Sequence, residues 1–261
     1  MKEASKLLLY LYAIAFIVLV WELLALYFGP FILPTPWEVF LYFVRQLDNP
    51  IFLSHLLYSL GRLVGGLAIG FILAFPLGIA LGYFKTLDKY VAPIVFLTYP
   101  IPKVLFLPVL LVLFGLGEAP KLLIIALTTS YLILVVTRDS IRAIDPNYYT
   151  FFATLWPAEI NRRGLSWFMA ILRHVLYPQA LPAAITAFRL ASGTAVAVLF
   201  IAESFATDKG LGFLIVDAWG AMDLRRMWSG ILAMSLIGAI IFEVANLLEY
   251  LLCPWKRRQG A

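Results

Sequence analysis

The chain has one cysteine and two histidines, and only 13% of its residues are charged. Each scarcity excludes a class of chemistry. Cys253 alone cannot close an intrachain disulfide, and no spaced set of cysteines and histidines exists to hold a metal. His55 and His174 have no serine or cysteine in an elbow context such as G-x-S-x-G, so no hydrolytic triad is expected, and each reads as a solvated or capping residue. No G-x-x-x-x-G-K-S/T loop occurs, so the chain is not expected to bind ATP by a P-loop. No residue is assigned a catalytic or metal-binding role, no cofactor is expected on this chain, and the expectation is a protein that is not an enzyme by itself.

What fills the chain instead is apolar: 63% of 261 residues, against about 45–50% in an average soluble domain. A helix needs about 20 apolar residues to cross a bilayer, and several uncharged runs reach that length. The expected spans are 7–28, 56–84, 91–116, 122–136, 183–205 and 227–252, six crossings in an all-α integral membrane protein. The first, Leu7 to Phe28, follows Lys2 and Lys6 as a secretory signal would. It is long for one, no small-x-small cleavage site follows, and Gly29-Pro30 reads as a helix end, so a retained anchor is expected. The third holds Pro93, Pro100, Pro102 and Pro108, each of which removes a backbone donor, and a break is expected near Tyr99-Pro100-Ile101-Pro102.

Six crossings put both termini on one side. Placing them in the cytoplasm assigns twelve of the 20 Lys and Arg residues to the inside, among them Arg138, Arg142, Arg162, Arg163 and Lys256, against five outside. The net charge of +5 is therefore a topology signal, and since the basic residues form no single stripe, no nucleic-acid partner is expected. The segment 138–181 is too polar to cross and too aromatic to be disordered, so a folded cytoplasmic loop with short helices is expected. Gly210-Leu211-Gly212 reads as a tight turn before an apolar segment. In the second span, Gly61, Gly65, Gly66, Gly70, Gly78 and Gly82 recur at spacings near four, which suits close helix packing, within the chain or at a subunit interface.

Ionisable groups inside a span cost at least about 2.5–3.5 kcal/mol, so they usually face protein or water and mark a pathway. Arg62, Lys103, Arg189 and Glu203 are the candidates, with snorkelling or a packing salt bridge as the alternative for each. Tyr99 and Pro100, at the expected break, join them as pathway or gate candidates. Glu22, Glu243 and Glu249 read as interfacial or packing residues. No pair of carboxylates has the spacing of a proton relay.

In order along the chain, Leu33-Pro34-Thr35-Pro36-Trp37-Glu38-Val39, Ser59-Leu60-Gly61-Arg62, Pro108 with Phe114-Gly115-Leu116-Gly117, Val175-x-x-Pro178-x-x-x-Pro182, Arg189-Leu190, Ala202-Glu203 and Gly210-Leu211-Gly212 form a series of landmarks. Their order and spacing resemble the permease subunits of binding-protein-dependent ABC importers, of the nitrate, sulfonate, taurine and bicarbonate branch. Ala187 stands where that family has a glycine before Arg189-Leu190. The family's coupling signature, E-A-A-x-x-x-G-x9-I-x-L-P, ends here at Val175-x-Tyr177-Pro178; counting back puts Leu165 at the glycine position, with Gly164 beside it, and Glu159-Ile160-Asn161 at E-A-A. The distance from Asp145-Pro146 to Pro178 also exceeds the family's usual one. The docking helix therefore falls in 147–156 or in 159–169.

The resemblance implies one transmembrane permease domain over 1–261: 1–55 an N-terminal helix and extracytoplasmic connection, 56–137 core helices, 138–182 a cytoplasmic coupling loop, and 183–261 the last two helices with a basic tail. It implies a cell-membrane homodimer with two separate ATP-binding cassette subunits, which use the ATP, and an extracytoplasmic substrate-binding protein. Asp145, Glu159, Arg162, Arg163, Gly164, Leu165, Val175 and Pro178 would couple to the ATPase. The intramembrane cations point to a small anionic solute such as nitrate, bicarbonate or a sulfonate. The alternative reading is an ion-coupled secondary transporter acting without an ATPase.

Overall fold

The computed structural model describes residues 2–29, 31–155, 164–205 and 207–258, and contains no strand among them. Five helices are long and apolar enough to cross a membrane, and a sixth crossing results if one sharply bent pair is taken as a single span. The chain divides into two compact units, Met1–Leu60 with Glu203–Leu236, and Gly61–Ala202 with Ile237–Ala261.

In the first unit, α1 (Lys2–Phe28) is apolar around most of its circumference and from Leu8 onward almost wholly exposed, as a lipid-facing helix is. After it, α2 (Pro36–Gln46) starts where Thr35 Oγ1 accepts from the Glu38 N–H at 3.3 Å and Pro36 fills the first helical position, which needs no donor. Trp21 Nε1 donates to Pro34 O at 3.1 Å and its ring packs against Trp228. The unit also holds the first turns of α3 (Pro50–Tyr83).

The second unit is organised by α3 against α6 (Glu118–Arg142). Gly66, Gly70, Ala74, Gly78 and Gly82 fall at every fourth residue, and the glycines face α6 so closely that a Cβ at Gly66 would lie 2.6 Å from Ile125 and one at Gly78 2.7 Å from Thr137. Lipid supplies no hydrophobic drive for helix association, so this proximity is what gives the pair its dispersion contacts. The recurring glycines therefore serve packing within the chain, except Gly61, around which there is open space.

Between these helices lie α4 (Lys85–Thr98), a 3-10 turn (Lys103–Phe106) and α5 (Leu107–Phe114), with an 88° bend across the break at 99–102. This is where the prolines predicted the helix to fail. After α6, Asp145 Oδ1 accepts from the Asn147 N–H at 2.8 Å and opens α7 (Pro146–Leu155).

The span expected over 183–205 is the second half of one 40-residue helix, Leu165–Ser204, made of α8 (Leu165–Ile171), a π turn (Leu172–Leu176) and α9 (Tyr177–Ser204). Pro178 and Pro182 looked like the end of a loop because each breaks the backbone ladder. The helix survives because the wide π turn precedes Pro178, and because the oxygen that Pro182 cannot serve, Pro178 O, receives the Trp255 indole N–H at 3.1 Å. Beyond it, α10 (Leu211–Gly220) and the start of α11 (Leu224–Leu252) return to the first unit, and α12 (Pro254–Arg258) closes the described chain.

Candidate functional site

The break between α4 and α5 gathers three of the predicted pathway residues. Pro102 has no N–H to return to Thr98 O, which receives the Ile101 N–H at 3.2 Å and has room for a second donor. Lys103 turns back into the break: its Nζ donates to Thr98 O at 2.6 Å, Ile101 O at 2.8 Å and Tyr99 O at 3.2 Å, and lies 4.0 Å from the centre of the Tyr131 ring. The Tyr131 hydroxyl is 2.9 Å from Thr98 Oγ1, which fixes the ring beside the ammonium. Lys103 is only 7% exposed. Beside it is a cavity of about 280 Å3, lined by Tyr99, Pro100, Lys103, Thr128, Tyr131 and Thr194 among others. It offers hydroxyls and backbone groups to a small polar solute.

Arg62 and Arg189 lie elsewhere in the same unit, and both are matched to carboxylates. Arg62, 3% exposed on α3, grips Glu118 at the start of α6 with Nε and Nη2, both at 2.6 Å. This fork is the strong form of the pair, and it ties the two helices at one end of their glycine seam. Arg189 on α9 donates to Asn246 Oδ1 at 2.6 Å and Glu249 Oε2 at 3.2 Å on α11, and Glu249 also meets Lys256. Glu249, which the sequence suggested as a packing residue, is the hinge of this chain of charges.

Glu203 belongs to the first unit and has no exposed surface. Its Oε2 accepts from Ser59 Oγ at 2.7 Å and from the Gly212 N–H at 2.9 Å, while Ser59 Oγ accepts from the Leu211 N–H at 2.7 Å. His55 Nδ1 lies 3.0 Å from Gly210 N and 3.1 Å from Gly210 O, and the ring's tautomer decides which of the two it bonds. A carboxylate thus caps the first turn of α10, where backbone N–H groups and the helix dipole favour negative charge. Gly210 has φ +116°, and any Cβ there would run into the Glu203 carboxylate, so the Gly-Leu-Gly turn and the acid are built for one another. His55 is a ligand of this turn and is buried, not solvated.

Of the predicted coupling residues, Glu159, Arg162 and Arg163 lie outside the described residues. Asp145 caps α7, Gly164 is the extended residue before α8, and Leu165 is exposed. Val175, in the π turn, and Pro178, in α9, line a cavity of about 810 Å3 together with Asp145, His174, Trp255 and Lys256. The short α7, Pro146–Leu155, overlaps 147–156, one of the two stretches from which a docking helix was expected. Next to the cavity, Cys253 is 1% exposed against Leu181, Ile185 and Trp255. Burial, and then the negative charge of Glu249, push its thiol pKa up. Tyr149 on α7 is pushed up as well, by burial first and by Tyr83 second.

Two features escaped sequence reasoning. Asp88 on α4, 4% exposed, holds both Arg138 and Arg142 at the end of α6. Counting basic residues for topology had assigned these arginines a side of the membrane and left their partner unsought, although Asp88 is the single acid in the Lys85–Lys89 stretch. Trp255, between Pro254 and the terminal basic run, carried no signal at all.

The family model described as "Binding-protein-dependent transport system inner membrane component" matches residues 66–258. The riboflavin transport system permease protein of Chloroflexus aurantiacus is 32% identical over 87% of this chain and 81% of its own length. The formylaminopyrimidine transport permease protein of Halalkalibacterium halodurans is 25% identical over 93% of this chain and 94% of its own. The taurine transport system permease protein of Escherichia coli is 27% identical over 77% and 70%. The family match spans the glycine seam, the bend, the segment 138–182 and the turn at Gly210, and by it the chain belongs to the inner-membrane components of binding-protein-dependent transport systems, the permease subunits of ABC importers.

Proposed function

We propose that two copies of this chain pair around a central path, that two separate ATP-binding cassette subunits dock on the segment 138–182, and that an extracytoplasmic binding protein delivers a small solute. The chain itself is the multi-pass transmembrane subunit of an ATP-driven importer. In this reading residues 1–261 act as one permease domain with both termini in the cytoplasm, supported by the bias of basic residues toward that side. ATP is used by the partners and no cofactor resides on this chain.

The observation that carries the reading is the bend at Tyr99–Pro102 with its hydroxyl-lined cavity, because non-helical backbone at membrane depth is tolerated where it lines a cavity or is buried in protein. Tyr99, Pro100 and Lys103 then form the pathway constriction, with Arg62 and Arg189 holding the helices of the same unit and Glu203 holding the turn before α10 in the other. Asp145, Glu159, Arg162, Arg163, Gly164, Leu165, Val175 and Pro178 transmit closure of the ATPase pair to the long helix Leu165–Ser204. Anionic solutes stand first, because one relative is named for taurine, which bears a sulfonate. The uncharged heterocycles named for two other relatives stand second. An ion-coupled carrier is not favoured, since these relatives are named as permeases of transport systems.

The test is reconstitution of the chain with its ATPase and binding protein in nanodiscs, with ATP hydrolysis followed as sulfonates, nitrate, bicarbonate and vitamin precursors are added. Stimulation that needs both the binding protein and one solute, and that disappears when Arg162, Arg163 and Gly164 are replaced, is the expected result. Solute movement down an ion gradient by the chain alone, with no ATPase bound, would overturn it.

A further inference from the structure

The geometry around Lys103 points to a second property of the bend: it is a monovalent-cation site, and the chain fills it with its own ammonium group. Three carbonyl oxygens converge on Nζ, one for each of its three N–H donors. A ring face closes the fourth side at 4.0 Å, the geometry of a cation–π contact. Thr98 O and Tyr99 O lie at the end of α4, the negative pole of that helix, Ile101 O lies in the break, and Pro102 denies Thr98 O its donor from four residues on. Thr98 O also receives the Ile101 N–H at 3.2 Å, so it is a two-donor acceptor that a cation completes.

The contact distances of 2.6 to 3.2 Å are those of an N–H donor on oxygen, about 2.7–3.2 Å, and longer on average than the roughly 2.3–2.6 Å that a calcium ion takes. The site therefore suits ammonium or an ion of similar size. Broken helices with unwound carbonyls hold coupling ions in gradient-driven carriers. Here the same backbone device carries a tethered cation that cannot leave, so the bend needs no ion from either side. Lys103 is then no receptor for an anionic solute, because its donors are already committed. This holds whichever solute is carried.

The experiment compares the wild type, Lys103→Ala and Lys103→Met in nanodiscs with the partner subunits. Thermal unfolding of the permease is measured while ammonium, methylammonium, sodium or potassium chloride is titrated at constant ionic strength. Lys103→Ala should melt below the wild type and recover with the logarithm of the ammonium or methylammonium concentration, as linkage to a vacated site requires. Lys103→Met, whose chain fills the space without charge, should melt low and stay there, and the wild type should not respond. Transport-coupled ATP hydrolysis by Lys103→Ala should fall about tenfold or more and rise again with ammonium, consistent with uncapped buried carbonyls. The inference fails if Lys103→Ala melts like the wild type without added cation, or melts low and responds to no cation more than the wild type does. Should Lys103→Ala not be recoverable, amine methylation of the wild type decides. Lys103 should stay unmodified while exposed Lys85 reacts, and equal reaction of the two would overturn the site. The melting measurement needs no solute, so its failure is distinguishable from failure of the importer reading.

Discussion

Trp255 gives its indole proton to Pro178 O, the carbonyl that Pro182, four residues on, leaves without a helical donor. The terminal segment thereby mends the long helix Leu165–Ser204. Trp255→Phe should lower the stability of the reconstituted chain by about 1 kcal/mol, since the oxygen is only partly shielded. Pro182→Ala restores an N–H at position 182, so adding it to Trp255→Phe should recover most of the loss. A double-mutant cycle of thermal unfolding measures this, and simple additivity would disprove the repair.

The glycine seam predicts a graded series. Gly70→Ala places a Cβ 2.5 Å from Thr129 Oγ1 and Gly82→Ala one 2.5 Å from Ile141, so each should cost about 1–3 kcal/mol through overpacking. Gly61→Ala meets open space and should be neutral or slightly stabilising. Unfolding in detergent at increasing denaturant separates the three; equal losses would mean that helix propensity, not close approach, sets the cost.

At the turn before α10, Glu203→Ala removes the acceptor of two buried donors, Ser59 Oγ and the Gly212 N–H, while Gly210→Ala forces a Cβ onto the carboxylate at a backbone angle that favours glycine. Both should abolish solute-stimulated hydrolysis while leaving ATPase binding intact. Hydrogen exchange over 207–214 should rise by about tenfold or more in Glu203→Ala, in line with loss of a charge-assisted cap. Unchanged exchange would refute the capping role.

Cys253 is buried and its thiol pKa is raised, so the reactive thiolate is scarce at neutral pH and increases only as pH climbs through that raised value. Maleimide labelling of the intact complex should be far slower than that of an exposed engineered cysteine at pH 7, and should accelerate in Trp255→Ala, which opens one wall. Rapid labelling of the wild type would contradict the packing.

Elements governed by local composition were readable in advance: apolar length gave the helices, and Pro100 with Pro102 gave the bend. The partnerships were harder, because an ion pair needs two positions far apart in sequence. Arg62 announced itself as a charge within a span, but nothing local linked it to Glu118 across 56 residues. The long helix at Leu165 was misjudged for a related reason. Pro178 and Pro182 signal an interruption, and the donor that cancels it, Trp255, lies 77 residues from the oxygen it serves. Glu203 was recognised as out of place in a span, yet its task of shaping Gly210 to Gly212 rests on the positive φ that only coordinates reveal.

The notched seam of α3 and α6 has a mechanical corollary. Ile125, Thr129, Thr137 and Ile141 sit in successive recesses left by Gly66, Gly70, Gly78 and Gly82, so sliding either helix along the other would lift all four out of register together. The pair therefore resists shear along its seam as one piece, whereas the backbone ladder is interrupted at residues 99–102 and at the π turn Leu172–Leu176, outside that seam.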